Sequence, residues 1–461
     1  MSVAPAYDLA IIGAGPAGMA AALEARGLGL SVLVVDENPA PGGQVFRAAE
    51  AAAADPALAG DLAPGLALIK AFRDLDIEYR PGTTLWMLDP DEGVLSLATQ
   101  GQSSEVTARR VLLATGAQER PVPIPGWTLP GVMSAGAAQI MLKTGGFVPK
   151  GRVVLAGQGP LMWLLANQLI RAGVMPVLVE TRRQPLIQTA LTSGGFKTGF
   201  AQLAKGLGLI LNARRAGMRV ISGARDLRAE GAEHVQRLRY AGGAEPCETL
   251  LLHEGVIPST HISMAIGLDH VWDMAQLCWR PRLDRFGASS HPRIAVAGDG
   301  ALIAGWEAAV AAGRLAALDA ATRIGRMASA ERDTRAVAWF TAQAKARALR
   351  PFLDALYRPA PEILAPPDEA TVICRCEEVT AGALRWAAAI GATGPNQAKA
   401  YLRCGMGPCQ GRVCGPMVAA IIAETRGTAV PEVGSFRPRA PYKPITVAAL
   451  ANSQNVGNSD T

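Results

Sequence analysis

Asp8-Leu-Ala-Ile-Ile12-Gly13-Ala-Gly15-Pro-Ala-Gly18 stands near the start of the chain, and Ser31-Val-Leu-Val-Val35-Asp36-Glu37 follows after a run rich in alanine. The apolar run Asp8–Ile12 predicts a strand, Pro16–Arg26 a helix and Ser31–Val35 a second strand, which together make a βαβ unit. The three glycines have separate uses. Gly13 permits the tight turn, Gly15 lets backbone approach a pyrophosphate, and Gly18 lets helix and strand pack closely. The helix start, with Pro16 and Ala17, offers free N–H groups and the positive end of a dipole to phosphates. Asp36 is placed to accept from ribose hydroxyls, with Glu37 as the second choice. A glycine triplet alone is weak; a triplet with strand, helix and acid all in register is strong.

The pattern recurs. Arg152–Ala156 reads as a strand, Gly157-Gln-Gly159-Pro160 as a turn, Leu161–Arg171 as a helix, and Val177–Val179 as a strand ending at Glu180. The step from first glycine to acid is 23 positions in both copies, 13 to 36 and 157 to 180. An internal repeat of this kind weighs more than either motif alone. The second copy departs from the pattern. Met162, followed by Trp163, replaces the third glycine, and a bulky side chain there is expected to push the helix off the strand. Arg182 and Arg183 follow Glu180 without forming an evident 2′-phosphate site. The second site is therefore expected to be degenerate.

Three further segments fall in a telling order. Pro41-Gly42-Gly43-Gln44 reads as a surface turn or as a backbone loop lying against a flavin ring. Val111-Leu-Leu-Ala-Thr115-Gly116 reads as a buried strand with a tight turn. Ile294-Ala-Val-Ala-Gly298-Asp299-Gly300 precedes a helix-like stretch, Trp306–Leu318, and Asp299 alone is an ordinary cap candidate. Taken together and in this order, they point to a bound dinucleotide.

A chain of 461 residues calls for more than one domain. The net charge of +6 is spread along the chain, so it reads as solubility, with an acidic or membrane partner as the weaker reading. Few aromatics and no basic block argue against a nucleic-acid partner. Val153–Ile170 is uncharged, but its glycine turn fits strand-turn-helix better than a membrane span, so any membrane association is expected to be peripheral. The start of the sequence lacks an export signal, which predicts a cytoplasmic protein with reduced thiols. The five histidines show no metal-pair spacing.

In sequence, Gly13-Ala-Gly15-Pro-Ala-Gly18, Pro41-Gly42-Gly43-Gln44, Ala114-Thr115-Gly116-Ala and Ala297-Gly298-Asp299-Gly300 resemble the two-dinucleotide-domain flavoproteins related to thioredoxin and glutathione reductases. The resemblance implies FAD in the first copy, with Gly298 and Asp299 closing on its ribityl-pyrophosphate part. The redox-active Cys-x-x-Cys of thioredoxin reductases is absent.

Five of the seven cysteines crowd the C-terminal quarter as Cys374-Arg-Cys376, then Cys404, Cys409 and Cys414. Four thiolates suit zinc or an iron–sulfur cluster, and a shifted Cys404/Cys409 pair is arithmetically open. Cys247 and Cys278 read as core thiols. The spacing Cys374-x-Cys376, 32 residues, Cys409-x4-Cys414, with Cys-Glu-Glu-Val-Thr and Gly-Met-Gly-Pro-Cys-Gln-Gly-Arg-Val-Cys around it, resembles bacterioferritin-associated ferredoxin. That resemblance implies a 2Fe–2S cluster on Cys374, Cys376, Cys409 and Cys414.

The whole combination, with Pro121-Val-Pro-Ile-Pro-Gly126-Trp127, resembles the α (A) subunits of heteromeric amine dehydrogenases and oxidases: opine oxidases, hydroxyproline and proline dehydrogenases and hydrogen cyanide synthase. It implies an FAD-dependent electron-transferring subunit with no catalytic acid-base residue for substrate. The secondary amine or imino acid would be oxidised on a β subunit, itself an FAD-dependent amine oxidase-like flavoprotein. There would be room for a small third subunit, with an FMN at a subunit boundary. A stand-alone NAD(P)H-dependent flavin reductase and a non-catalytic iron–sulfur scaffold are the alternatives. The expected fold is α/β: two Rossmann-like domains plus a small 2Fe–2S domain. Residues 1–148 and 281–325 form the FAD-binding part, 149–280 the degenerate nucleotide domain, 326–368 a helical segment and Pro-rich linker, 369–430 the cysteine domain and 431–461 an extension with a disordered end.

Overall fold

The computed structural model of the chain describes residues 6–193 and 200–453. Strand Tyr7–Ile12, helix Pro16–Gly27 and strand Val32–Asp36 form the βαβ opening. Apart from Asp8 and Asp36 the two strands are apolar, and they are buried from Asp8 and Val32 onward, as parallel strands covered on two faces must be. Tyr7–Ile12 pairs in parallel with Val32–Asp36 on one side and with Gln102–Leu113 on the other. Ile294–Val296 joins the same sheet beside residues 111–113. The long strand Gln102–Leu113 serves two sheets: its first half runs antiparallel to Val94–Thr99, which pairs in turn with Thr83–Asp89.

The second copy has its own parallel sheet, ordered Val220–Ser222, Val177–Glu180, Val153–Gln158, Thr249–Glu254 and Val132–Ser134. Gly13 and Gly157 do the same job in the two copies. A Cβ on Gly13 would stand 2.5 Å from the carbonyl oxygen of Ala114, and one on Gly157 would fall on that of His253. Each first glycine thus lets its turn lie on the backbone of the neighbouring parallel strand. The copies part at the third position. Met162 is buried in the second core with Leu155, Trp163 and Leu251, so the wide side chain is taken up as packing material.

The chain crosses between the two bodies through Ala117–Glu119 and returns through Val256–Pro258, and these strands pair antiparallel side by side. After Ile294–Val296, helix Trp306–Arg323 lies against Pro16–Gly27. Gly313 makes the contact close, because a Cβ there would fall on the Ala17 carbonyl. The charged stretch forms helix Ser329–Arg347. The Pro-rich linker is more ordered than its composition implies: it holds the short helix Pro361–Leu364, and Ile363 is buried in the second body's core.

The C-terminal body is a hairpin, Val372–Cys374 with Val379–Thr380, and helices Ala381–Ala389, Pro395–Leu402 and Gly415–Arg426. Thr380 caps the first of these from its Oγ1, and Gly427 closes the last at φ +64°. The segment after residue 430 is part of this core: Val433 and Phe436 are buried in it. The Phe436 ring sits on Gly405, Gly411 and Gly415, where any side chain would meet it. Further on, Tyr442 is buried against the first sheet, with its hydroxyl 3.1 Å from the Leu88 N–H, and Lys443 pairs with Glu37. The extension thus straps the cysteine body to the first domain. Helix Val447–Ser453 follows; the end expected to be disordered lies, beyond residue 453, outside the described residues.

Phe436→Ala should destabilise the cysteine body by about 3 kcal/mol, the usual range for emptying a buried aromatic site. Limited proteolysis should then cut the C-terminal quarter first, and equal protease resistance of variant and parent would show that the ring is not a keystone.

Candidate cofactor sites

The first glycine loop is built from two kinds of glycine. Gly13, at φ +109°, and Gly18, whose Cβ would fall on the Gly13 carbonyl, are required by the chain's own packing. Gly15 is not. Its φ is −78°, and a Cβ there would meet nothing nearer than Gly43 Cα at 3.6 Å. A Cβ would fit the protein at Gly15, so the glycine there is not required by the chain's own packing and leaves room for a group from outside the chain. Gly15 is also the cap of helix Pro16–Gly27, which has no side chain capping its N–H groups. Open space over free N–H groups at the positive end of a helix fits a pyrophosphate.

The other expected segments converge here. Gly42 N–H donates to the Ala14 carbonyl at 2.9 Å. Gly43 sits so close that a Cβ would be 2.8 Å from Gly15 Cα. Gly298 lies against Ala17, which brings Asp299 to the head of the helix. Thr115 Oγ1 donates to the Ser259 carbonyl at 3.1 Å, and the Ser259 N–H returns a bond to Gly116 at 2.9 Å. Two acids have structural work as well. Asp36 accepts from Ala14 N–H at 2.6 Å and from the Asn38 backbone and side chain at 2.7 Å each, so it locks the glycine loop. Asp299 accepts from the N–H groups of Ala304 and Gly305 at 2.9 and 3.1 Å, ordering the turn before helix Trp306–Arg323. Burial pushes its carboxyl up and those N–H groups pull it back. Glu37, paired with Lys443, faces the extension.

Sequence reading missed Lys143. It sits buried in helix Ala135–Gly145 and donates from Nζ to the carbonyls of Gln44 and Val45 at 3.2 and 3.0 Å and to Gln139 at 3.2 Å. Burial lowers its ammonium to about 8. A lysine in an otherwise uncharged helix, Ala-Gly-Ala-Ala-Gln-Ile-Met-Leu-Lys-Thr-Gly, was the available signal.

The second copy is covered by its own chain. Gln158, between its two glycines, donates from Nε2 to the Arg358 carbonyl at 3.1 Å and to Glu254 at 2.8 Å. Tyr357, next to Arg358, interacts electrostatically with Glu180 and Arg182, and burial pushes its hydroxyl up to about 12. Glu180 is itself buried and paired with Arg182 at 3.3 Å. The positions that would meet pyrophosphate and ribose are thus engaged by protein groups.

At the C-terminal site the cysteines meet in pairs. The thiol of Cys414 hydrogen-bonds Cys374, and that of Cys376 hydrogen-bonds Cys409. The Cys374 thiol is lowered to about 6 because Cys414 and the N–H groups of Gly405, Glu377 and Cys376 stabilise its thiolate. The same pairing raises Cys414. Buried Cys404 stands beside them and is pushed up to about 12 by desolvation. Among the described residues, no three His, Cys, Asp or Glu side chains are arranged to hold a single metal ion.

The cysteine loop touches the first site's surroundings. Gln118, two residues after Gly116, donates to the Arg412 carbonyl at 2.7 Å. Trp127 donates from its indole to the Val372 carbonyl at 2.7 Å, and Arg375 lies over its ring at 5.1 Å. A cleft beside this junction is lined by His261, Trp279, Gly411, Arg412 and Phe436. The ring nitrogens His261 Nε2 and Trp279 Nε1 are buried there with no partner among the described residues.

Residues 7–316 match the family described as pyridine nucleotide-disulphide oxidoreductase. The chain belongs to that family. Residues 369–454 match the sarcosine oxidase A3 domain. The chain is 44% identical to the A subunit of opine oxidase from Agrobacterium tumefaciens (strain Ach5), over 97% of this chain and 92% of that one. It is 33% identical to the HcnB subunit of hydrogen cyanide synthase from Pseudomonas aeruginosa (strain PAO1), over 96% and 98%. In fold it is similar to L-proline dehydrogenase from P. horikoshii, with a TM-score of 0.71, 20% identity and coverage of 96% and 79%. The protein is therefore an FAD-dependent oxidoreductase of the kind that serves as one subunit of a heteromeric flavoprotein oxidase. No helix among the described residues is long and apolar enough to cross a membrane.

Gly15→Asp should leave the fold intact and abolish FAD binding, because the carboxylate fits the protein but meets the pyrophosphate. Unchanged circular dichroism with loss of the yellow colour is the expected result; full FAD content would remove the site from this loop. Lys143→Met should release the Pro41–Gln44 loop and weaken FAD retention about tenfold, in keeping with the loss of charged hydrogen bonds. Fluorescence titration of the apoprotein measures it.

Proposed function

We propose that this chain is the electron-transferring subunit of a dehydrogenase or oxidase acting on a CH–NH donor, a secondary amine or imino acid of the opine, proline or hydroxyproline type. Its substrate would be oxidised on a partner β subunit, an FAD-dependent amine oxidase-like flavoprotein. FAD would lie across Gly13, Gly15, Pro16, Ala17 and Gly18, with Asp36 using its remaining lone pair on ribose. Gly43, Gln44, Thr115 and Gly116 would flank its ring, and Gly298 and Asp299 its ribityl side. Bound FAD takes up electrons in pairs and can release them singly. Cys374, Cys376, Cys409 and Cys414 would hold a 2Fe–2S cluster, with Cys404 beside it and outside the ligand set.

The observation that carries this reading is the contact between the two sites. Gln118 stands two residues after the Thr115–Gly116 turn and hydrogen-bonds the loop between Cys409 and Cys414. A protein that passes electrons onward needs its two centres held relative to each other, and this bond supports that reading. An interface FMN, which the resemblance implies, would have its candidate place in the cleft of His261 and Trp279. There a neutral imidazole, lowered to about 4 by burial, offers an acceptor and the indole a donor. The engaged second copy argues against the NAD(P)H-dependent reductase, and the FAD loop against a bare iron–sulfur scaffold.

Cys404→Ser should keep the EPR signal of a reduced 2Fe–2S centre, and Cys414→Ser should lose or shift it. The reverse outcome would move the ligand set to Cys404 and Cys409, and zinc without iron on metal analysis would defeat the cluster. NADH should not bleach the flavin of the isolated chain, and the chain should oxidise no amine until a second flavoprotein chain is added; turnover by the isolated chain would refute the division of labour.

A further inference from the structure

The second body carries a surface that neither cofactor site uses. From Thr181 to Arg225 the sequence has no Asp or Glu, where 39 acids over 461 residues would place about four in 45 positions. Two helices in this segment expose aliphatic side chains at helical spacing. Leu186–Thr192 shows Ile187 and Leu191, 75% and 80% exposed, beside Leu186. Phe200–Arg215 shows Leu207 and Leu211, four residues apart on one face. The helices meet at one small apolar cluster, where Ala190 of the first and Leu203 of the second pack with Leu349 and Phe352. Lys205, Arg214 and Arg215 stand on the same segment and form no ion pair among the described residues, whereas Arg182, Arg183 and Arg219 are neutralised by Glu180, Glu362 and Glu245.

We propose that this face docks the protein onto an anionic lipid surface. Exposed leucine and isoleucine flanked by uncompensated lysine and arginine is the pattern of a helix lying in a membrane interface, its apolar side dipping below the headgroups and its cations among them. A protein partner is the poorer fit. Protein interfaces gather aromatic residues and shed lysine, and their energetic centres are seldom leucine; among the described side chains of the two helices, the exposed apolar ones are all aliphatic. With no helix fit to cross a bilayer among the described residues, the contact is one of lying on the surface. The inference is independent of the electron-transfer reading, since it uses neither FAD nor cysteines.

The test uses the full chain with its FAD, sedimented with vesicles of phosphatidylcholine alone and of phosphatidylcholine with phosphatidylglycerol. Binding is expected to the anionic vesicles only, and to fall as salt is raised. Lys205→Glu with Arg214→Glu and Arg215→Glu should lower it at least tenfold. Ile187→Glu with Leu191→Glu should do the same, with the flavin absorbance unchanged in both variants as the check on folding. Equal partition to neutral vesicles, or binding unchanged by charge reversal, would overturn the proposal. So would variants that lose a co-purifying protein while keeping vesicle binding, which would assign the face to that protein.

Discussion

The carbonyl oxygen of Ala114 lies where a side chain of residue 13 would stand, and much of the first domain follows from that bare contact. Because Gly13 has no Cβ, the turn after the first strand can drop onto the neighbouring strand, and Gly18 can bring the helix down on the Gly13 carbonyl. The helix then points its uncapped N–H groups at open space beside Gly15. Gly43, Gly298 and Gly313 extend the same device, each bringing one more segment against backbone or a small side chain. Close backbone approach admits no side chain, so the glycines are single-valued where the apolar core residues have substitutes.

The second copy shows what happens when that constraint is partly lifted. Gly157 keeps the strand contact, and the turn survives. Met162 fills the core where the third glycine would let the helix close in, and the segment ending at Arg358 covers the loop. A nucleotide fold persists as architecture, while its polar groups are engaged within the protein. Gln158 hydrogen-bonds both Glu254 and the covering segment, an arrangement that would have to be undone before a ligand could enter.

The cysteine body depends on a different economy. It is small, its hairpin is short, and its loop between Cys404 and Cys414 is rich in glycine. Phe436 compensates from outside the hairpin and helices by seating its ring on two of those glycines, Gly405 and Gly411, and on Gly415 just beyond them. The same extension reaches the first sheet through Tyr442 and Glu37 through Lys443, so the cysteine body is tied to the first domain by covalent continuity as well as by Gln118 and Trp127.

The amino-acid sequence by itself determined the two βαβ units, the converging glycine motifs and the grouping of the cysteines, because each rests on local period or on residues with one backbone use. The helix Ser329–Arg347 and the strand-turn-helix at residues 153–171 were legible for the same reason. Other features were decided only by the tertiary structure, since they join residues far apart in the chain. Lys143 reaches a loop some hundred residues away, Arg358 meets Gln158 across two hundred, and Gln118 meets Arg412 across nearly three hundred. The double role of Asp36 and Asp299 was likewise hidden, because an acid at a strand end or before a helix reads alike whether it awaits a ligand or caps backbone. Which of its lone pairs are already spent depends on the N–H groups that folding brings to it.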